Sequence, residues 1–282
     1  MYSLREPKGQ AMPGSAMHQT IEQSSNRAVR AFLMCVIVLG APLIVAMYLV
    51  DTSTAEILVL AFMVVPAVSA ILARLFTGVH LTIGRPSLAT LLLATIPGIA
   101  MGLAYGALAI FPGSSMAFFG WDVSITAILA GIAQASVLAF GEELGWRGYL
   151  LPQLRRTRSF MAANSILVVI WFAYHVPVIF VPGVYSNPGI PTWASLLLFA
   201  VAITGFSFFV GALWEKHHDV WGATFAHGVW NYLVQGAWPL MFIAASPWVM
   251  GEFGVVAGAI TVVIALVWVP RVARRHRAPL EM

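Results

Sequence analysis

Charge is what this chain has least of. Asp, Glu, Lys and Arg make up only 9% of its 282 residues, against roughly a quarter in an ordinary soluble domain. With 60% hydrophobic residues and a mean hydropathy of +0.87, there is too little polar surface to coat a water-facing globule. A soluble enzyme or soluble binding module is therefore excluded, and so is disorder away from the ends. Cysteine is nearly absent as well: Cys35 is the only one. No disulfide framework can form within the chain, and Cys35, in an apolar run, reads as a small core residue. The apolar runs lack the alternation of a membrane β-barrel. The net charge of +4 reads as basic loops facing an anionic membrane surface, and no nucleic-acid partner is expected.

What is present is a series of long apolar runs, near 31–50, 55–73, 87–111, 124–146, 161–180, 192–214, 220–240 and 252–270. Each approaches the ~20 residues a helix needs to cross ~30 Å of hydrocarbon. The expected fold is all-α, a polytopic membrane bundle of about eight transmembrane helices. Residues 1–29 are polar and read as a flexible cytoplasmic tail, 30–270 as the helical domain, and 271–282 as a basic cytoplasmic tail. With the N-terminus in the cytoplasm, all 15 Lys and Arg residues fall in segments assigned to the cytoplasmic side. Asp51, Glu56, Asp122 and Glu252 fall at the opposite margins. This is the positive-inside pattern of a multi-pass cell-membrane protein with both termini cytoplasmic. Pro97 is expected to kink the third run. The Pro- and Gly-rich stretch from Pro177 to Pro191 reads as an outer loop, and His80 and the Glu215–Asp219 cluster read as loop residues.

Ionisable groups within apolar runs mark function by default, because burying them is costly. Three stretches carry them. Gly141-Glu142-Glu143-Leu144-Gly145-Trp146-Arg147 ends the fourth run, Trp171-Phe172-Ala173-Tyr174-His175 lies in the fifth, and His227-Gly228-Val229-Trp230-Asn231 lies in the seventh. Glu143 and Arg147 are four apart and face each other as an ion pair. Glu142, turned ~100° away, has no evident partner on its own helix and must find one across the bundle. His227 and Asn231 share a helix face. By counting residues, Glu142, His227 and Asn231 lie at similar depth, whereas His175 lies deeper; the mismatch closes if 150–162 runs along the interface. One carboxylate, two imidazoles and a carboxamide suit amide hydrolysis. Glu142 acts as general base on a water, one histidine assists it, and the other histidine and Asn231 stabilise the oxyanion. The same groups also suit a metal ion, although Asn is a poor zinc ligand. The plainer readings are a Glu–Arg packing device, hydrogen-bonding histidines, and interfacial belts at Trp146, Tyr149, Trp193, Trp214 and Trp238. Spacing alone leaves an enzyme and a transporter open.

These three motifs, in this order, resemble the CPBP or Abi family of intramembrane proteases, which includes the CAAX prenyl proteases and bacteriocin-processing or self-immunity proteins. That family shares E-E-x-x-x-R, F-x-x-x-H and H-x-x-x-N on three helices of an eight-helix bundle. The likeness covers about 125–240, the motif-bearing core. Trp171 stands where the family has phenylalanine, and an altered pocket wall is expected there. The resemblance implies that Glu142 and His175 activate the water and that His227 and Asn231 form the oxyanion site. It makes Glu143 and Arg147 supporting residues, with Arg147 available to a substrate carboxylate. Family members have been described both as metalloproteases and as metal-free glutamic endopeptidases. The metal-free form is preferred here, because one accessible carboxylate, two His and an Asn are a lean zinc set. No cofactor is therefore expected; the alternative is zinc on Glu142, His175 and His227. H-E-x-x-H and the rhomboid-type and aspartyl-type motifs are absent. The expected partners are the bilayer and a membrane-associated protein or peptide substrate. The rival readings are a catalytically silent immunity or scaffold protein of the same fold, and a proton-coupled transporter.

Overall fold

The computed structural model describes residues 14–111, 116–120, 123–185 and 189–273. Helices α1 (Gly14–Met47) and α2 (Thr52–Thr77) form an antiparallel hairpin, turned at Asp51, whose carboxylate accepts from the Thr54 backbone N–H at 3.0 Å. The Ser53 and Thr54 hydroxyls, followed by that backbone bond, hold the Asp51 carboxyl well below its usual range. α1 does not begin at residue 30. Residues 14–29, expected as part of a flexible tail, are helical, because Ser25 and Ala28 are fully buried and Ser25 donates to the Gln153 carbonyl at 2.5 Å. The remainder of that tail, and 274–282 of the basic one, lie outside the described residues.

The third apolar run is broken as expected, into α3 (Leu88–Ala94) and α4 (Ile96–Ile110), with Pro97 in the first turn of α4. A short strand β1 (Met116–Phe118) comes next. Then comes α5 (Ile125–Gly145), capped by Ser124, whose hydroxyl accepts from the Ala127 N–H at 3.2 Å. α5 runs without a turn through a π-helical segment, Trp146–Leu150, into α6 (Leu151–Arg155). Ser159 caps α7 (Phe160–Ile179), which carries Pro177 in its last turn, and α8 (Thr192–His217) returns across the bundle. α9 (Trp221–Trp230) passes into a second π segment, Asn231–Ala237, and then into α10 (Trp238–Met241). β2 (Phe242–Ala244) pairs antiparallel with β1, and α11 (Val255–Ala273) closes the fold against α8.

Among the described residues, seven helices are long and apolar enough to cross a membrane, so the molecule is a polytopic helical bundle. The run at 220–240 is not among them. It is helical over Trp221–Met241, but His227, Asn231 and Gln235 dilute its apolar character. Glu215 is not a loop residue. It lies in α8, fully buried, and takes a bidentate fork from Arg155, with Nε to Oε2 at 2.8 Å and Nη2 to Oε1 at 2.7 Å. Arg155, expected as a cytoplasmic loop charge, is therefore an internal bolt between α6 and α8.

Aromatic placement also departs from the belt reading. Trp146, Tyr149 and Trp214 are fully buried, Trp193 is exposed, and Trp238 donates its indole N–H to the Gly98 carbonyl at 2.9 Å. Phe32 packs edge-on against Trp146 at 5.6 Å, so the first of these rings is part of the core rather than an interfacial anchor.

Candidate active site

α5 is the central element of the site, held between α2 and α9. Two glycines permit the contact. A Cβ on Gly145 would fall 2.6 Å from the Pro66 carbonyl oxygen of α2, and one on Gly228 would fall 2.6 Å from the Ser136 backbone of α5. Such close approach, the small-residue packing of membrane helices, brings the Glu142 turn level with His227.

α5 and α6 together carry Glu142 about 20 Å along the helix from Arg155, at 1.5 Å per residue. α7 carries His175 about 22 Å from its start at Phe160. The depth mismatch therefore closes because the fourth helix runs on to Arg155, and 150–162 does not lie as one interfacial segment. Glu142 sits deeper than its count to Leu150 suggested.

Glu142 is 3% exposed, and its Oε2 accepts two indole N–H groups, Trp146 at 3.1 Å and Trp171 at 2.8 Å. It thus has a partner on its own helix after all. Trp146 is four residues on, the same spacing that pairs Glu143 with Arg147. The signal was legible, but it was masked by reading Trp146 as a belt residue. Among the described residues no protein donor reaches Oε1 of Glu142. Trp171 is more than a pocket wall. Its N–H binds Glu142, its carbonyl accepts from His175 Nδ1 at 2.8 Å, and its ring lies under the Arg147 guanidinium at 4.4 Å and edge-on to His227 at 5.4 Å.

Glu143 is fully buried and saturated. Arg147 Nη1 reaches both its oxygens at 2.9 and 3.0 Å, and His227 Nδ1 lies 3.0 Å from Oε1. Arg147 is itself fully buried and gives Nη2 to Ser207 at 2.8 Å. The expected Glu143–Arg147 pair is present. The expected availability of Arg147 to a substrate carboxylate is not, because its charge is spent on Glu143 and its side chain does not line the cavity.

That cavity holds about 130 Å³ and is lined by Glu142, His175, His227 and Asn231 together with apolar and aromatic side chains. The four sequence-predicted groups thus share one chamber, and Glu143 and Arg147 lie behind it. The histidine tautomers follow from chemistry. A carbonyl and a carboxylate can only accept, so His175 and His227 both carry a proton on Nδ1, and Nε2 is left to other partners. The amide of Asn231 opens the second π segment, and the first begins three residues after Glu143. Each π turn rotates the helix beyond it, a distortion that gathers at functional sites. Sequence reasoning missed Glu252 and Tyr185, which also line the cavity. Glu252 reaches the cavity through a loop fold that no local pattern encodes.

Among the described residues, no three His, Cys, Asp or Glu side chains are placed to hold a metal ion together.

No curated protein matches the chain. Residues 123–233 match the family model described as type II CAAX prenyl endopeptidase, Rce1-like. The matched stretch is less than half of the chain, but it contains all three motifs and every sequence-predicted side chain of the site. The match falls on the stretch from which the resemblance was drawn, and residues 123–233 are thus similar to the type II CAAX prenyl endopeptidase, Rce1-like, family.

Proposed function

We propose that the protein is an intramembrane endopeptidase that hydrolyses a peptide bond of a membrane-associated protein or peptide, using a water activated by Glu142 and His175. The observation that carries this reading is the enclosure of Glu142, His175, His227 and Asn231 in one apolar cavity. Among the described residues, Glu142 Oε1 and both histidine Nε2 atoms are left without protein partners.

A water held between Oε1 of Glu142 and Nε2 of His175 meets two acceptors and no competing donor. It presents a lone pair to a substrate carbonyl while its proton passes to the carboxylate. The two indole donors fix Glu142 through Oε2, so the reactive oxygen is held without being blocked. His227 can donate from Nε2 only when both ring nitrogens are protonated. Glu143 beside its Nδ1 favours that imidazolium, and with the Asn231 amide N–H it makes a two-donor oxyanion site. The proton taken by Glu142 then goes to the leaving amine. The largely apolar and aromatic wall around these groups lowers the local dielectric, which strengthens each of these electrostatic contacts. No step in this scheme requires a metal.

The test is comparison of protein termini by mass spectrometry in membranes carrying the wild type or E142Q. Peptides with new termini that vanish in E142Q support the reading; identical terminomes overturn it. A proton-coupled transporter instead predicts solute flux in liposomes that depends on Glu142, without peptide cleavage.

A further inference from the structure

Among the described residues five acids are buried: Glu142, Glu143, Glu215, Asp219 and Glu252. Glu143 is paired with Arg147 and Glu215 with Arg155. Asp219 accepts the Trp221 and Gly222 N–H groups at the start of α9, at 2.8 and 3.1 Å, through Oδ1 alone, and does not line the cavity. Glu142 and Glu252 form no salt bridge with a basic residue among the described ones, and both line the same cavity.

Glu252 is 7% exposed, in the loop between β2 and α11. Its Oε2 accepts from the Tyr185 hydroxyl and its Oε1 from the Trp230 indole N–H. Both partners are donors, as an ionised carboxylate requires, and each oxygen keeps a further lone pair. The site is built by the fold. Tyr185 comes from the loop between α7 and α8, Trp230 from α9, and the Glu252 loop is fastened by the Gly251 N–H on the Tyr105 hydroxyl at 2.9 Å. Burial and Glu252 together push the Tyr185 phenol well above its usual pKa, so it stays a donor. The Tyr185 ring is 6.3 Å from that of His175, which puts Glu252 one ring's width from the hydrolytic groups. No Lys or Arg among the described residues lines the cavity. An anionic group entering it would face two carboxylates, and a cationic group would meet a carboxylate already desolvated and held in place.

We infer that Glu252 is a cation-accepting subsite of this cavity, taking an ammonium or guanidinium group of the substrate within about two or three residues of the scissile bond, at ~3.3 Å per extended residue. The inference rests on the peptidase reading for turnover, and on the cavity alone for binding.

The test uses the full chain in proteoliposomes with an end-blocked apolar peptide series in which Lys, norleucine or Glu is stepped through every position. A parallel arm carries norleucine with a free amino terminus, which separates a side-chain cation from a terminal amine. Binding is read by fluorescence anisotropy on E142Q protein. At one position the Lys peptide, or in the parallel arm the free amine, is expected to bind about tenfold or more tighter than the blocked norleucine peptide. The preference is expected to disappear when Glu252→Gln is added. No preference at any position, or one that persists without Glu252, overturns the subsite. Where E252Q does not fold, E252D keeps the charge on a shorter arm and is expected to move the optimum from Lys to the longer homolysine; an unmoved optimum also overturns it. Cleavage of the same series by wild type separates the two claims. Preferential binding without any cleavage sinks the peptidase reading and leaves the subsite standing.

Discussion

Glu142 and Glu143 are neighbours in sequence, equally out of reach of solvent, and treated in opposite ways by the fold. Glu143 faces Arg147 and His227, with Ser207 completing the arginine's shell. Glu142 faces two indoles and a cavity. A helix turns ~100° per residue, so adjacent carboxylates look at different neighbours. One is neutralised and becomes a structural bolt that also fixes the tautomer of His227. The other is held by neutral donors that orient it without quenching its charge. A base that must take up a proton is best held in this second way, since an arginine in contact would favour the ionised form too strongly.

The contrast can be broken at each side. The largest effect is expected from E142Q. Glutamine keeps an oxygen for the indoles and removes the base, so peptide cleavage should fall by about 10²–10⁴-fold while the yield of monodisperse protein on size exclusion is retained. Comparable loss of folded protein would mean that both carboxylates are structural. E143A is expected to act through stability. It strands the buried Arg147 charge, at a cost of about 3–5 kcal/mol, read as a lowered melting temperature in detergent. An E143A protein that melts like wild type would show that Arg147 finds other partners. N231A removes one oxyanion donor, and kcat is expected to fall by about 10²-fold or more with KM little changed; a change confined to KM would move Asn231 from the oxyanion to substrate binding. W171F keeps an aromatic ring and deletes one N–H. The lost bond to a charged acceptor, worth about 1.5–3 kcal/mol, predicts a drop in kcat of about tenfold or more with little change in melting. Unchanged kcat would return Trp171 to a wall. The smallest effect is expected from chelation: excess chelator leaves the cleavage rate as it was, and loss of activity restored by stoichiometric zinc would replace the metal-free scheme.

The two ends of the motif-bearing core also differ in how legible they were. Around Glu142 the spacing of residues carried much of the information. The i, i+4 spacings at Glu143–Arg147 and His227–Asn231 follow from helix geometry; the first is an ion pair, and the second places both side chains on one cavity. Trp146 to Glu142 obeys the same spacing and was overlooked because tryptophan in a membrane helix has a common alternative use. Around Glu252 nothing local could serve. Glu252, Tyr185 and Trp230 come from separate loops and helices, and only closure of the bundle brings them together. Arg155 depends on packing in the same manner: it fits the sequence pattern as a basic loop residue, yet it is buried against Glu215.

The sequence by itself determined that this is a membrane helix bundle, because 60% hydrophobic residues in runs of membrane length admit no other packing. It also determined which three stretches to look to for a site, because ionisable groups are costly to place in such runs. The tertiary structure decided how deep those groups lie, through a fourth helix that runs on to Arg155. It decided which carboxylate is quenched and which is exposed to the cavity, and it brought a second carboxylate into the same chamber. These are outcomes of long-range packing, set by where α2, α5, α7 and α9 touch, and helix periodicity carries no information about them.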